Sequence, residues 1–250
     1  MKVVISGASS GIGEALARHY ASPENVLGLI SRRPPAAGLP GRIQSYSLDV
    51  ADTAALEAAA KDFVGRFGAP DLVIASAGVS VGTHGDDFAD VHKLRRVLDV
   101  NVVGLAATLA AFAPSMREAG SGTLVGIASV TGFRGIPGSG AYSASKAAAI
   151  KWLESLRVEL RGTGVSVVCI CPGYVDTPLT RVNPYRMPFI LPAGEAARRI
   201  ARAIAAKRRL AVIPWQMAAV SVLFRLLPGD RKSTRLNSSH TSKSRMPSSA

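Results

Sequence analysis

Cysteine is nearly absent from this sequence. The only two, Cys169 and Cys171, alternate with Val168 and Ile170 in one apolar run. That spacing reads as a buried strand rather than as a disulfide framework or a metal site. No secretory leader is expected from the reading of the first residues. Lys2-Val3-Val4-Ile5 runs straight into a glycine-rich turn and reads as a first strand, in keeping with a cytoplasmic protein. Long hydrophobic runs are missing too. The apolar stretch 210–227 is interrupted by Pro214, and its helical part from Trp215 is thirteen residues, against about 20 for a bilayer span. No linker, repeat or shift of composition divides residues 1–229, so one domain is expected.

Acidic residues are also scarce, 17 against 30 Lys and Arg, for a net charge of +13. A basic balance invites nucleic acid or an anionic membrane as partner. Part of the charge sits in a peculiar segment. Residues 230–240 (Asp-Arg-Lys-Ser-Thr-Arg-Leu-Asn-Ser-Ser-His) match the in-frame translation of a common sequencing-library adapter. After a gap of three residues, 244–250 match its other end. The segment 230–250 is therefore expected to be non-native and disordered, with the natural C-terminus lost near Gly229. Setting it aside leaves 25 basic against 16 acidic residues, net +9. No nucleic-acid recognition motif accompanies that charge, and nucleic acid is not an expected partner.

What is present is 48% hydrophobic residues arranged in alternation. Strand-like runs near 2–6, 25–31, 43–47, 71–75, 122–128, 164–170 and 210–213 alternate with helical patterns. The helices fall near 11–21, 53–67, 91–118, 141–162, 193–207 and 215–227. This predicts an α/β fold: a Rossmann-type, doubly wound parallel sheet of about seven strands with helices on both faces. Asp52-Thr53 supplies a cap for the second helix, and Gly68-Ala69-Pro70 stops it.

The first strand leads into Ser6-Gly7-Ala8-Ser9-Ser10-Gly11-Ile12-Gly13 and then a helix. Gly7 allows the tight turn, Gly11 lets the backbone approach a pyrophosphate, and Gly13 permits close helix packing. Free amides at the helix N-terminus favour the phosphates of a dinucleotide. The second strand ends Ser31-Arg32-Arg33. A carboxylate here would bind the ribose 2′-hydroxyl of NAD(H), whereas arginine pairs with the 2′-phosphate of NADP(H). With Ser31 where an acid is expected, NADP(H) is favoured over NAD(H).

Tyr142 and Lys146 lie one helical turn apart and project from the same face. A nearby ammonium favours phenolate, bringing tyrosine toward the range of a working base. Ser129 stands at the end of the apolar run 123–128, the end that faces the ligand crevice in an open parallel sheet. Asn101 sits within a helical pattern where Asn is locally disfavoured, which points to a specific hydrogen bond. Pro172-Gly173-Tyr174-Val175-Asp176-Thr177 follows the cysteine-containing run.

The Gly-x3-Gly-x-Gly turn, Asn101, Ser129, Tyr142/Lys146 and Pro172-Gly173, in this order over nearly all of residues 1–180, resemble the short-chain dehydrogenase/reductase family. The resemblance implies an oxidoreductase that moves a hydride between a nicotinamide and a carbonyl or alcohol, working as a homodimer or homotetramer. It makes Tyr142 the general acid/base and Ser129 the group that polarises the substrate oxygen. Lys146 binds the nicotinamide ribose and lowers the Tyr142 pKa, and Asn101 holds a water that relays protons to it. The cofactor shell it implies comprises Gly7, Ser9, Ser10, Gly11, Ile12, Gly13, Arg32, Arg33, Asp49, Val50, Ala77, Gly78, Asn101, Tyr142, Lys146, Pro172, Gly173, Val175 and Thr177. Asp49-Val50 matches the family's adenine-contacting pair. One departure is Ala75-Ser76-Ala77-Gly78, where the family usually has Asn-Asn-Ala-Gly. Ser76 replaces only part of an Asn hydrogen-bond pattern.

The segment 174–192 carries Tyr185, Met187, Phe189, Ile190 and Leu191 and is apolar for a loop. It reads either as a lid over a lipophilic substrate or as packing against the core or a partner. The arginine-rich stretch before 210–227 leaves an interfacial, membrane-touching helix as one reading. A buried strand and interface helix is the simpler one. A 3-oxoacyl thioester reductase, or a cofactor-binding regulatory protein without catalysis, are the alternatives to a carbonyl reductase. The intact Asn101, Ser129, Tyr142 and Lys146 weigh against the last.

Overall fold

A computed structural model describes residues 1–183 and 186–226; Tyr185 and the segment 230–250 lie outside the described residues. The main sheet is built from β1 (Lys2–Ser6), β2 (Val26–Ser31), β3 (Arg42–Ser47), β4 (Leu72–Ala75), β5 (Gly122–Ile127), β6 (Val165–Pro172) and β9 (Leu210–Ile213). All seven are parallel, in the order β3-β2-β1-β4-β5-β6-β9. The chain winds outward from β1 through β2 to β3, then returns to β4 on the other side of β1. Strand order reverses there, and the loops leaving β1 and β4 part to form a crevice.

Two hydrophobic layers cover the sheet because its strands are apolar on both faces. On one face α1 (Gly11–Tyr20) and α7 (Ala193–Ala205) bury Leu16, Ala17, Ile200 and Ile204 against Ile5, Leu29 and Ile170. The sequence of α7 explains its seat. Ala196, Ala197, Ile200, Ala203 and Ile204 recur at helical spacing and are buried, while Glu195 pairs outward with Arg198 and Arg199. On the other face lie α2 (Thr53–Phe67), α4 (Gly104–Glu118) and α5 (Gly140–Glu159), bringing Phe63, Phe112, Leu109 and Leu153 onto Val4, Val73 and Leu124. Truncating a fully buried phenylalanine such as Phe112 to alanine costs about 3–5 kcal/mol in sites of this kind.

Asp52 caps α2 by accepting from Ala55 N–H at 3.0 Å. The two thiols on β6 share one face with their sulfurs 3.8 Å apart, reduced and buried. The run Phe88–Glu118 is long and apolar enough to cross a membrane, yet half of its most apolar window is buried inside the fold. It is a core helix, interrupted by one π turn.

That interruption positions the site. α3 (Val91–Leu98) passes through a π turn over Asp99–Val103 before continuing as α4. The sequence predicts a plain helix over 91–118; the extra residue in the turn swings Asn101 into the interior, where it is fully buried. Within 174–192 the structure adds a two-stranded pair, β7 (Val175–Asp176) with β8 (Leu191–Pro192), and the single-turn α6 (Pro178–Arg181). α8 (Trp215–Leu226) follows β9.

Candidate active site

The turn after β1 is shaped by what has no room for a side chain. Gly7 adopts φ +74°, and a Cβ there would lie 2.7 Å from the Ala77 backbone; one on Gly13 would lie 2.2 Å from the Gly7 carbonyl oxygen. The turn is tied to the strands beside it by Gly7 N–H to Ile30 O at 2.8 Å. Thr177, in the loop after β6, closes over it: a Cβ on Gly11 would meet the Thr177 methyl at 3.2 Å. The result is a trough walled by backbone and open along the N-terminal end of α1.

One continuous cleft runs from Arg32, Arg33, Asp49 and Val50 past Gly7, Ser9, Ser10, Gly11, Ile12 and Gly13. It continues along Ala77 and Gly78 to Ser129, Tyr142, Lys146, Pro172, Gly173, Val175 and Thr177. Every residue expected in the cofactor shell therefore lines it, except Asn101, which lies immediately behind. A trough of backbone amides too narrow for Cβ atoms, with two arginines at one end and a buried lysine at the other, fits an extended dinucleotide.

Lys146 is buried on α5, and its Nζ donates to Ile127 O at 2.8 Å. Burial pulls its pKa down from 10.5 to about 8; the nearby Cys171 and Cys169 work weakly in the opposite direction. The ammonium lies 5.6 Å from the centroid of the Tyr142 ring. Ser129 caps a 3-10 turn (Val130–Phe133). Its Oγ accepts from Thr131 N–H at 3.2 Å and from Thr131 Oγ1 at 3.0 Å, and the bond it donates among the described residues is a long 3.5 Å one to Pro172 O. The Ser129 proton is thus weakly committed and available to an incoming oxygen.

Asn101 acts as a clamp. Its Oδ1 accepts from Val79 N–H at 2.8 Å, and its Nδ2 donates to Val79 O at 2.9 Å and to Ser145 Oγ at 3.0 Å. Ser145 Oγ in turn donates to Tyr142 O at 2.7 Å. The loop after β4, the π turn and the first turn of α5 are thereby locked together. Ser145 is a residue that sequence reasoning missed. The available signal was a serine inside Tyr-x3-Lys, three residues after Tyr142, where a helix interior disfavours it. Thr83 was missed likewise: its Oγ1 accepts from Ala141 N–H at 3.1 Å, satisfying an amide at the start of α5.

At the far end, Ser31 lines the cleft and its Oγ is engaged by donating to Arg33 O at 2.6 Å. Asp49 receives Arg96 at 2.8 Å, with Arg32 at 3.8 Å. Partial burial pushes the Asp49 carboxyl up, but Arg96, Ala51 N–H and the charge of Arg32 outweigh it and hold the pKa below the ordinary range. In the segment 174–192, Leu191 is partly buried against the α1/α7 layer, whereas Phe189 and Ile190 are 51% and 41% exposed. Packing into the core accounts for the first and not for the other two.

The family model for short chain dehydrogenases matches residues 1–186. An uncharacterized oxidoreductase of Myxococcus xanthus is 38% identical over 90% of this chain and 92% of its own length. Among solved structures, a short chain dehydrogenase/reductase from Burkholderia phymatum in complex with NAD superposes with a TM-score of 0.78. It is 28% identical, covering 89% of this chain and 92% of that one. An alcohol dehydrogenase from Thermococcus sibiricus, complexed with 5-hydroxy-NADP, gives 0.71 and 27% over 85% and 95%. Sheet order, cleft and sequence agree, and the chain belongs to the short-chain dehydrogenase/reductase family of nicotinamide-dependent oxidoreductases.

Proposed function

We propose that this protein is an NADP(H)-dependent reductase or dehydrogenase of a lipophilic carbonyl or secondary alcohol, with Tyr142 as its acid/base. The observation that carries the cofactor choice is at the end of β2. Arg32 and Arg33 are exposed at the rim of the cleft, no carboxylate stands at Ser31, and the Ser31 hydroxyl is engaged with Arg33 O. A guanidinium forms charge-assisted hydrogen bonds with a 2′-phosphate and only a weaker neutral-acceptor bond with a 2′-hydroxyl. The neighbouring acid, Asp49, is already held by Arg96.

When bound, the nicotinamide supplies or accepts the hydride. Lys146, which lines the cleft, would hold the nicotinamide ribose, and its ammonium beside the Tyr142 ring favours phenolate over phenol. Tyr142 gives its proton to the carbonyl oxygen in reduction and withdraws it in oxidation, while Ser129 donates a hydrogen bond to the same oxygen. Asn101 and Ser145 hold the first turn of α5, and therefore Tyr142, against the loop after β4. The Asn101 side chain is occupied by Val79 and Ser145, so its contribution is to positioning. A proton relay past Lys146 draws on what the Asn101 carboxamide leaves free, one lone pair of Oδ1. A screen of ketones, aldehydes and alcohols followed by nicotinamide absorbance, each with NADPH and with NADH, tests the reading. Turnover that prefers NADPH and is lost in Tyr142→Phe supports it; preference for NADH overturns the cofactor assignment.

A further inference from the structure

Among the described residues that line the cleft, one side chain is acidic: Asp49, at the nucleotide end. Ser31 of β2 pairs with Ser47 of β3. Arg32 and Asp49, one and two residues beyond that pair, therefore leave the same edge of the sheet side by side. A carboxylate in this place works against a phosphorylated ligand in two ways. Its charge repels a phosphate, and it competes with that phosphate for the Arg32 guanidinium.

Both oxygens of Asp49 are engaged, and neither is hydrogen-bonded to Arg32. Oδ1 accepts from Ala51 N–H at 3.1 Å. Oδ2 accepts from Arg96 Nη2 at 2.8 Å, while Arg32 Nη1 stands 3.8 Å from the same Oδ2, beyond hydrogen-bond range. Arg96 does not line the cleft. It comes from the last turn of α3, 47 residues further along the chain. The Arg96 and Asp49 side chains are 43% and 30% exposed, so the pair adds little to stability. Its consequence lies in which cation the carboxylate takes.

We infer that Arg96 is a specificity-determining residue of the nucleotide end, one that occupies Asp49 Oδ2 and so keeps Arg32 free for a 2′-phosphate. This role rests on the NADP(H) reading of Arg32 and Arg33, and it is one of positioning, since Arg96 acts through Asp49. Without Arg96, Asp49 Oδ2 loses its donor and the nearest guanidinium is that of Arg32. Arg32 then closes on Asp49, and an incoming 2′-phosphate meets an occupied arginine beside an uncompensated carboxylate. A 2′-hydroxyl carries no charge and loses little. Arg96 therefore sets discrimination between the two cofactors rather than dinucleotide binding in general.

Titration calorimetry of the full chain with adenosine 2′,5′-bisphosphate and with adenosine 5′-monophosphate is the test, because the two probes differ at the 2′ position and need neither nicotinamide nor turnover. Wild type is expected to prefer the bisphosphate. Arg96→Met should weaken bisphosphate binding by about three- to tenfold and monophosphate binding by no more than about twofold, with melting temperature unchanged. In an Asp49→Asn background the same substitution should leave the ratio of the two affinities where it was, because no carboxylate remains to capture Arg32. Arg95→Met removes an equal charge from the same turn of α3 without touching Asp49, and should also leave the ratio unchanged. A wild-type ratio retained in Arg96→Met overturns the inference. So does an equal fall in Arg95→Met or in the Asp49→Asn background, which would reduce the effect to long-range charge. Wild type without preference for the bisphosphate overturns the NADP(H) reading and this inference together, whereas a preference that survives Arg96→Met overturns this inference alone.

Discussion

The carboxyl edge of the sheet has two halves that recognise by different means. Beyond β1, β2 and β3 the cleft is made of Gly7, Gly11, Gly13, Ser9, Ser10, Arg32 and Arg33, so a ligand there meets backbone amides and fixed charge. Beyond β4, β5, β6 and β9 it is made of Ser129, Tyr142 and Lys146, set behind a rim of exposed apolar side chains. The first half can hold a phosphorylated carrier that is the same in every turnover. The second must orient a reacting oxygen and admit a variable substrate. The difference separates binding from chemistry, and each half can be broken without the other.

The largest effect is expected on the chemical side. Tyr142→Phe removes one oxygen from a ring that stays in place, so turnover should fall by about 10²–10⁴-fold. NADPH affinity by titration calorimetry should change by no more than a few-fold. Residual activity close to wild type would mean that another group moves the proton.

Lys146 probes the boundary between the halves through pH. Burial lowers its folded-state pKa to about 8, while the unfolded chain keeps the ordinary 10.5. Between those values the unfolded chain binds a proton that the folded one has released, so stability rises with pH across that window. Below about 8 both states are charged, and the full cost of burying the ammonium stands. Urea denaturation of the cofactor-free protein should show wild type gaining about 3 kcal/mol on Lys146→Met over the window. A flat difference would show that the ammonium is well solvated where it lies.

On the nucleotide side the backbone itself is the target. Gly13→Ala places a methyl 2.2 Å from the Gly7 carbonyl oxygen, and backbone on both sides leaves little to yield. A stability loss of about 1–3 kcal/mol is expected, with cofactor affinity reduced because the turn must shift. Unchanged melting and unchanged affinity would show that the turn is soft and that its glycines do not set the trough.

The two halves also differ in how much of them the sequence disclosed. The seven strands and their parallel direction follow from apolar runs alternating with helical periods. The phosphate turn is legible because its main constraints are local: Gly7 needs its positive φ for the turn itself, and Gly13 is required by an oxygen six residues back, although Ala77 in the loop after β4 also crowds Gly7. The reacting side was legible only as residue types. Tyr142 and Lys146 announce themselves by one helical turn of spacing. The clamp from Asn101 through Ser145 joins residues 44 apart and depends on a π turn that no periodicity signals. The apolar rim was hidden for the same reason. Phe88, Val182 and Trp215 are far apart in sequence, and only the sheet order makes their loops neighbours. In the segment 174–192 the excess of apolar residues was visible, but not the β7–β8 pair that partly buries Leu191 and leaves Phe189 outside.

The smallest effect is the most discriminating for the nucleotide half. Arg32 is 61% exposed and 3.8 Å from an Asp49 that Arg96 already holds at 2.8 Å. Losing Arg32 therefore leaves Asp49 paired and the fold undisturbed, since an exposed pair of this kind is worth little. What Arg32→Ala removes is a charge-assisted partner for a 2′-phosphate, worth about tenfold in affinity. NADPH binding should weaken by that factor while NADH binding stays within a few-fold, and Arg32→Ala with Arg33→Ala should widen the gap. Parallel loss for both cofactors would mean that the arginines act on the adenosine or on the shape of the rim. The same titrations on Tyr142→Phe should show the wild-type preference for NADPH undiminished. If they do not, the two halves of the cleft are coupled, and binding and chemistry are not separable in this protein.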